Sequence, residues 1–202
     1  MNALVVLVGY LLGSVPFAVL VTRALRLADP RSYGSGNPGA TNVLRSGSRT
    51  AAALTLVGDA GKGALAVWIG RSIGDPSETL AIVCGAAAFL GHVFPVFLRF
   101  RGGKGVATFC GVLLAFAPWI GLACCGVWLA VALISRYSSL ASLAAALAAP
   151  ALVGLIDGPD LRLGVVLAVS ALLVWRHRSN IAKLRAGTEA RIGAAGNSST
   201  SN

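Results

Sequence analysis

The fold is decided by a run of about 31 residues without a charged side chain, residues 105–135: GVATFCGVLLAFAPWIGLACCGVWLAVALIS. One membrane span needs about 20 apolar residues, so this run is too long for one helix and short for two. Pro118 stands near its middle, where a proline removes a backbone donor and disrupts a helix. The run therefore forms either one long crossing or a helical hairpin that turns near Pro118.

Apolar runs of similar character fill most of the remaining chain, at residues 2–22, 50–70, 79–98, 137–156 and 163–175. The 202 residues are 56% hydrophobic and 12% charged, with a mean hydropathy of +0.78. Soluble domains carry about 25% charged residues, so this chain lacks the polar surface that a water-exposed domain requires. We therefore predict an all-α integral membrane protein with a single polytopic membrane domain over residues 1–202. No basic segment precedes the first run, which favours a retained span over a signal peptide.

The distribution of basic residues selects between the two interpretations of residues 105–135. Lysine and arginine concentrate in cytoplasmic loops, and residues 23–49 contain five arginines against one aspartate. A single crossing would place the basic segment 176–191 outside, whereas a hairpin brings it inside. We therefore predict a seven-transmembrane-helix bundle with the N-terminus outside and the C-terminus cytoplasmic, in which two or three helices are short or tilted. Residues 192–202 are small and polar, and we predict that this tail is disordered.

Three polar segments at predicted cytoplasmic span ends carry residues suited to chemistry. The first is Gly34-Ser35-Gly36-Asn37-Pro38-Gly39-Ala40-Thr41-Asn42, followed by Arg45. Glycines allow backbone N–H groups to approach a ligand closely, and the four polar side chains add hydrogen-bonding groups. Arg45 adds a planar fork suited to phosphate. An ordinary polar turn explains two or three such residues but not a run of this length, so we favour a binding loop.

The second segment is Arg99-Phe100-Arg101-Gly102-Gly103-Lys104-Gly105, which leads into the apolar run. A glycine-rich turn before a helix presents free N–H groups and the positive end of the helix dipole to an anion, and Lys104 adds a mobile charge. The GxxxxGK[ST] spacing is missing, so nucleotide hydrolysis is not supported. A plain basic connector explains the charges but not three glycines around one lysine. We therefore predict phosphate binding.

The third segment, residues 176–185, places His177, Asn180, Ile181 and Leu184 on one helical face, opposite most of its basic residues. A basic helix lying on lipid explains this segment equally well.

Two features inside the predicted spans are also polar. Asp59 and Lys62 lie three residues apart in the second span, where an unpaired charge costs about 2.5–3.5 kcal/mol. We favour a structural pair, with support of an active-site arginine by Asp59 as the alternative. His92 is predicted to be a packed histidine, and the four cysteines lack metal or disulfide spacing.

At these segments the chain resembles the bacterial acyl phosphate–glycerol-3-phosphate acyltransferases. The resemblance includes Gly13-Ser14-Val15-Pro16 and residues 34–45, 59–63, 91–108 and 176–189, in order and at comparable spacing. It implies a seven-helix bundle that moves a fatty acyl group from acyl phosphate to the 1-hydroxyl of glycerol 3-phosphate. The products are lysophosphatidate and phosphate, in the first step of phospholipid synthesis. It also implies that the enzyme uses no metal and no other cofactor.

The site residues follow from the resemblance together with the chemistry of the loops. The catalytic residues implied are Ser35, Lys104, His177 and Asn180. The predicted substrate-binding residues are Arg45, Gly36, Asn37, Thr41, Asn42, Gly102, Gly103 and Gly105. Acyl phosphate is already activated, so no covalent enzyme intermediate is expected. Either His177 or a substrate phosphate oxygen takes the hydroxyl proton, and we favour the phosphate.

The implied setting is the bacterial inner membrane, with the active site facing the cytoplasm. The implied partners of the protein are the two substrates and membrane lipid, and we expect neither nucleic acid nor an obligate protein partner. A small membrane transporter for phosphate or organic anions is the main alternative, but it would place polar sites near mid-membrane. The His-x4-Asp pattern of other glycerolipid acyltransferases is missing, and seven acidic residues are too few and too scattered for a CDP-alcohol phosphotransferase.

Overall fold

The computed structural model describes residues 2–73 and 78–193, and within these ranges the chain forms helices and turns but no strand. The helices are α1 (Asn2–Ser14), α2 (Phe17–Ala24), α3 (Ala40–Leu44), α4 (Arg49–Ser72), α5 (Thr79–Val93), α6 (Val106–Phe116), α7 (Pro118–Ser135), α8 (Ser138–Ile156), α9 (Leu161–Arg176) and α10 (Arg178–Arg185), with a 3₁₀ turn at Val96–Leu98. The predicted all-α class is confirmed. The predicted disordered tail falls, from residue 194 onward, outside the described residues.

Two prolines divide apolar runs into separate helices. α1 and α2 meet at Pro16 with a bend of 43°, because proline has no N–H to continue the helix. The run 2–22, which we treated as one span, is therefore broken. Pro118 opens α7 in its first turn, a position that tolerates proline, and α6 packs against α7 across this break. The predicted interruption of residues 105–135 at Pro118 is confirmed.

The helices differ in whether they are long enough to cross a bilayer. α4, α7, α8 and the segment Thr79–Leu98 are long and apolar enough, and the bent α1–α2 pair would make a fifth span. α6 and α9 have 11 and 16 residues, fewer than the roughly 20 of an upright span. The chain is thus a multi-pass membrane protein, and the count of seven crossings and the orientation of the termini stay predictions.

α5 occupies the centre of the helix packing, in contact with α1, α4, α6 and α9. Close approach depends on glycines at the crossings, as in other membrane bundles. A Cβ at Gly13 would overlap the Ala88 carbonyl, and one at Gly111 would overlap that of Ala60. The Tyr10 hydroxyl donates to the Phe94 carbonyl over 2.7 Å. This packing fixes the end of α5, from which the glycine–lysine segment emerges.

The predicted pair of Asp59 and Lys62 is present inside the bundle. Lys62 Nζ lies 2.7 Å from Asp59 Oδ1, and the side chains are 2% and 3% exposed, respectively. Lys62 Nζ also donates to the Val15 carbonyl over 2.8 Å. In an unbroken helix that carbonyl would accept from Val19, whose N–H instead bonds to Pro16. The structure places His92, rather than an arginine, as the second neighbour of Asp59, at 3.4 Å.

We expect Asp59→Leu to destabilise the protein strongly, because removing one partner leaves a buried uncompensated charge, at a cost of about 3–5 kcal/mol. The double variant Asp59→Leu/Lys62→Met removes both charges and should recover most of that loss. Thermal unfolding in detergent, followed by tryptophan fluorescence, measures both effects. A single variant as stable as the wild type would contradict this account of the pair.

Candidate active site

The first polar segment is a loop organised around one buried side chain. Asn42 is 2% exposed, and its Nδ2 donates to the carbonyls of Pro30 and Tyr33 over 2.6 and 3.2 Å. Its Oδ1 accepts from the Ser35 N–H over 3.0 Å and from Arg45 Nη1 over 3.3 Å. An amide has two donors and two acceptor positions, and all four are occupied. Asn42 therefore shapes the loop and orients Arg45.

The other predicted residues of this loop surround that framework. Gly34 has φ +59, a conformation that favours glycine. Ser35 is exposed, and its Oγ accepts from the Asn37 N–H over 3.4 Å. Thr41 Oγ1 lies 3.0 Å from Ser138 Oγ, which ties the loop to the start of α8. Gly36 is exposed beside Ser35. Ser35, Arg45 and the half-buried Asn37 are therefore the predicted side chains of this loop that can reach a ligand.

The second polar segment reverses direction through a strained turn. Arg99 and Phe100 have φ of 52 and 62, and such residues cost about 1–3 kcal/mol each. The Phe100 N–H donates to the Pro95 carbonyl over 2.8 Å, and the Gly103 N–H donates to the His92 carbonyl over 3.1 Å. The Gly103 amide is thus occupied, which corrects the expectation that the glycine N–H groups here are all free.

Arg176 and Gly105 complete this segment. Arg176 Nη2 donates to the Gly102 carbonyl over 2.9 Å, so the end of α9 supports the glycine turn. Gly105 has φ +85 and caps α6, and the free N–H groups of α6 begin directly after Lys104. Lys104 thus stands at a helix N-terminus, where anions bind favourably.

The third segment meets the second through a direct hydrogen bond. Lys104 Nζ donates to Asn180 Oδ1 over 2.5 Å. Asn180 Nδ2 donates to Glu189 Oε1 over 2.7 Å, and Ser139 Oγ donates to the same oxygen over 2.6 Å. Glu189 therefore fixes which way the Asn180 amide points. We assigned no role to Glu189 or Ser139 from the sequence, although Glu189 is the lone acid in residues 176–191 and could have been found on that ground.

The electrostatics show that the three segments converge on Lys104. Burial lowers the pKa of the Lys104 ammonium to about 8, since desolvation disfavours the charged form. Glu189 opposes this shift, whereas the positive charges of Arg176, Arg45 and Lys183 contribute to it. Three further cations and one carboxylate therefore act on Lys104. Such a site is poised for anions with more than one negative charge.

His177 lies beside this cluster as a neutral side chain. It is 2% exposed, and burial lowers its pKa to about 4, with the charges of Lys104 and Arg176 contributing. Its Nδ1 lies 2.8 Å from the Leu173 carbonyl. A carbonyl only accepts hydrogen bonds, so the proton of the neutral ring is on Nδ1 and Nε2 is an acceptor.

The predicted face of α10 is confirmed: His177 and Asn180 are buried, Ile181 and Leu184 are half-buried, and Arg178 is exposed. α10 therefore turns its polar groups toward the site, which favours function over a helix merely lying on lipid. Across residues 2–73 and 78–193, no three His, Cys, Asp or Glu side chains are grouped closely enough to bind a metal ion.

Comparisons with known proteins agree in one family. The model of the glycerol-3-phosphate acyltransferase family matches residues 3–187. The chain is 57% identical over 195 residues to a glycerol-3-phosphate acyltransferase of Paraburkholderia phytofirmans, covering 95% of this chain and 91% of that protein. It is 61% identical over 194 residues to one of Burkholderia vietnamiensis, covering 94% and 90%.

Solved structures extend this similarity to the fold. One is a crystal structure of PlsY, an integral membrane glycerol 3-phosphate acyltransferase, in its glycerol 3-phosphate form. It matches with a TM-score of 0.88 at 39% identity, over 95% of this chain and 96% of that one. The lysophosphatidic acid form of PlsY matches with a TM-score of 0.85 at 38% identity, over 94% of each chain. Since the family model spans nearly the whole described chain, the chain belongs to the glycerol-3-phosphate acyltransferase family.

Proposed function

We propose that this protein transfers a fatty acyl group from acyl phosphate to the 1-hydroxyl of glycerol 3-phosphate, releasing lysophosphatidate and inorganic phosphate. Both substrates carry a phosphate group. The observation that carries the proposal is the contact of Lys104 with Asn180 at the start of α6. The positive charges that act on Lys104 there are those of Arg45, Arg176 and Lys183. Two phosphate-bearing molecules repel one another in water, and surplus positive charge lets both bind side by side.

The reaction needs positioning more than covalent chemistry. Acyl phosphate is a mixed anhydride, so the glycerol hydroxyl oxygen can attack its carbonyl carbon directly as the bond to the phosphate oxygen breaks. Lys104, Arg45 and the N–H groups at the start of α6 neutralise phosphate oxygens, including the charge that develops on the leaving group. Ser35 and Asn180 orient the hydroxyl and stabilise the carbonyl oxygen. No residue needs to form an acyl intermediate.

The proton of the attacking hydroxyl goes to a substrate phosphate rather than to His177. Phosphate monoesters ionise with a second pKa of about 6, whereas the pKa of His177 is about 4. The low pKa of His177 makes it a weak base, so we favour a substrate phosphate as the proton acceptor. His177 Nε2 serves as a hydrogen-bond acceptor that orients a hydroxyl.

We further propose a single polytopic domain of seven crossings in the bacterial inner membrane, with the N-terminus outside and the C-terminus in the cytoplasm. The broken α1–α2 pair, α4, α5, α6, α7, α8 and α9 supply the seven. This topology places the three polar segments on the cytoplasmic side, in keeping with their basic residues. The acyl chain lies between helices in the hydrocarbon.

We expect purified protein in detergent to release phosphate from long-chain acyl phosphate only when glycerol 3-phosphate is present, with lysophosphatidate formed in equal amount. Lys104→Ala should lower kcat about 10²–10³-fold, the loss typical of an electrostatic contact to a developing charge. Arg101→Ala, an exposed cation on the same loop, is the matched control and should retain most activity. Phosphate release that does not depend on glycerol 3-phosphate would refute the proposed reaction.

Lys104 should also set the alkaline limit of the reaction. Its pKa of about 8 in the free site means that the ammonium is charged below this pH and loses its charge above it. Because phosphate binding needs the charge, kcat/KM should fall about tenfold per pH unit above that point. In Lys104→Arg the cation persists, so the residual activity should stay level over the same range. Blanks without enzyme correct for hydrolysis of the acyl phosphate, and an unchanged alkaline limb in this variant would exclude Lys104 as its source.

The topology is tested by thiol labelling of intact inverted vesicles, after replacement of the native cysteines Cys84, Cys110, Cys124 and Cys125. Single cysteines at Arg49, Arg101 and Arg185 should react with an impermeant maleimide on the cytoplasmic side. A cysteine at Pro159, between α8 and α9, should react only when vesicles have the opposite orientation. Opposite accessibility of the Arg49 and Arg101 positions would rule out a shared cytoplasmic site.

A further inference from the structure

His92 has a position that the proposed reaction does not explain. It lies at the end of α5, buried, and its backbone carbonyl accepts the Gly103 N–H over 3.1 Å. Its imidazole also lies directly beneath Gly103, because a Cβ added there would overlap Nε2, and the other nearest atoms belong to the same ring. His92 therefore contacts the residue that precedes Lys104 through both backbone and side chain.

The other edge of the imidazole faces the buried ion pair. His92 Nδ1 lies 3.4 Å from Asp59 Oδ1, the oxygen that Lys62 Nζ approaches within 2.7 Å. Lys62 in turn donates to the Val15 carbonyl at the break between α1 and α2. A continuous series of polar contacts thus runs from that break, through α4 and α5, to the glycine–lysine segment.

The same groups border a small cleft that opens to solvent. Asp59, Lys62 and His92 line it together with Gly102, Gly103 and, from the first polar loop, Pro38. The ion pair is therefore not confined to helix packing, since it faces the space between two segments of the site. Buried charges are expensive in a membrane protein and usually mark function.

We propose that His92 is a positioning residue, which the Asp59–Lys62 pair holds against Gly103 so that Lys104 is fixed in the phosphate site. The inference rests on the proposed function for its consequence in catalysis, but its geometry concerns the loop alone. The imidazole fills the space under Gly103 and so determines how closely the glycine–lysine segment approaches the end of α5. Lys104, the next residue, then reaches Asn180 rather than solvent.

The test is a steric double-variant cycle. Gly103→Ala should lower kcat/KM because the new methyl group overlaps the His92 ring. In His92→Asn the amide reaches the Nδ1 position and keeps the approach to Asp59, but the Nε2 position is empty. We therefore expect His92→Asn to recover at least about tenfold of the activity lost in Gly103→Ala, a coupling in the range found for contacting residues. Losses that simply multiply would overturn the proposal.

Two matched controls make the recovery specific. His92→Gln reaches the Nε2 position and should not rescue Gly103→Ala. Gly102→Ala should not be rescued by His92→Asn either, because its methyl group would overlap the backbone carbonyls of His92 and Val93. Rescue in either control would show general loosening of the loop and would contradict a positioning role.

A second measurement separates this inference from the proposed reaction. The rate at which trinitrobenzenesulfonate modifies Lys104, followed by mass spectrometry at fixed pH, reports the accessibility of the unprotonated ε-amino group without any turnover. It should rise in Gly103→Ala and return toward the wild-type rate with His92→Asn. If the wild type transfers no acyl group, the proposed function fails while this readout still decides the role of His92. If transfer occurs but neither kcat/KM nor the modification rate recovers, the positioning role fails.

The double variant Asp59→Leu/Lys62→Met, which we expect to recover most of the stability lost in Asp59→Leu, addresses the ion pair itself. A positioning role predicts a clear loss of kcat/KM per folded molecule in this variant, together with faster modification of Lys104. An unchanged kcat/KM per folded molecule would mean that the pair only stabilises helix packing, and would overturn its part in the proposal.

Discussion

The hydrogen bond from Lys104 Nζ to Asn180 Oδ1 joins segments 76 residues apart and sets the character of the whole site. Its direction depends on Glu189, which accepts from the Asn180 amide nitrogen and so turns the amide oxygen toward the lysine. The Glu189 carboxylate thereby bonds to the Asn180 amide instead of pairing directly with the Lys104 ammonium. A direct ion pair would satisfy Lys104 fully, whereas an amide oxygen leaves its charge available to a phosphate.

The physics of helix packing in a membrane explains how the bundle fixes the position of the glycine–lysine segment. Helices in lipid gain little from burying apolar surface against one another, so their association relies on close packing and a few polar contacts. Gly13 and Gly111 let backbones touch, and the Asp59–Lys62 pair joins α4 to the break after α1. These contacts fix the end of α5, and that end carries both His92 and the start of the strained turn at Arg99 and Phe100. Rigid packing inside the bilayer is thus transmitted to a loop at its surface.

The sequence alone was sufficient for what depends on local chemistry. Apolar runs predicted the helices, Pro118 predicted the break between α6 and α7, and the spacing of Asp59 and Lys62 predicted their pair. Contacts between segments distant in the chain could not be predicted from the sequence. Two examples are the hydrogen bond from the Gly103 N–H to the His92 carbonyl and the one from Asn180 to Glu189. Both depend on how the helices pack, which the periodicity of the sequence does not encode. The bend of 43° at Pro16 was not predicted, because residues 2–22 form one apolar run in the sequence.

The low pKa of Lys104 and the neutral state of His177 follow from one balance of charge. In the free site, burial and neighbouring cations both oppose protonation, which holds the pKa of Lys104 near 8 and that of His177 near 4. A bound phosphate offsets part of the local positive charge and favours the charged lysine. In the proposed reaction the same phosphate is both the group that Lys104 stabilises and the acceptor of the hydroxyl proton. A carboxylate general base at that place would weaken the attraction for both substrates. Glu189 instead contacts Asn180, an arrangement compatible with the proposed combination of anion binding and proton transfer to phosphate.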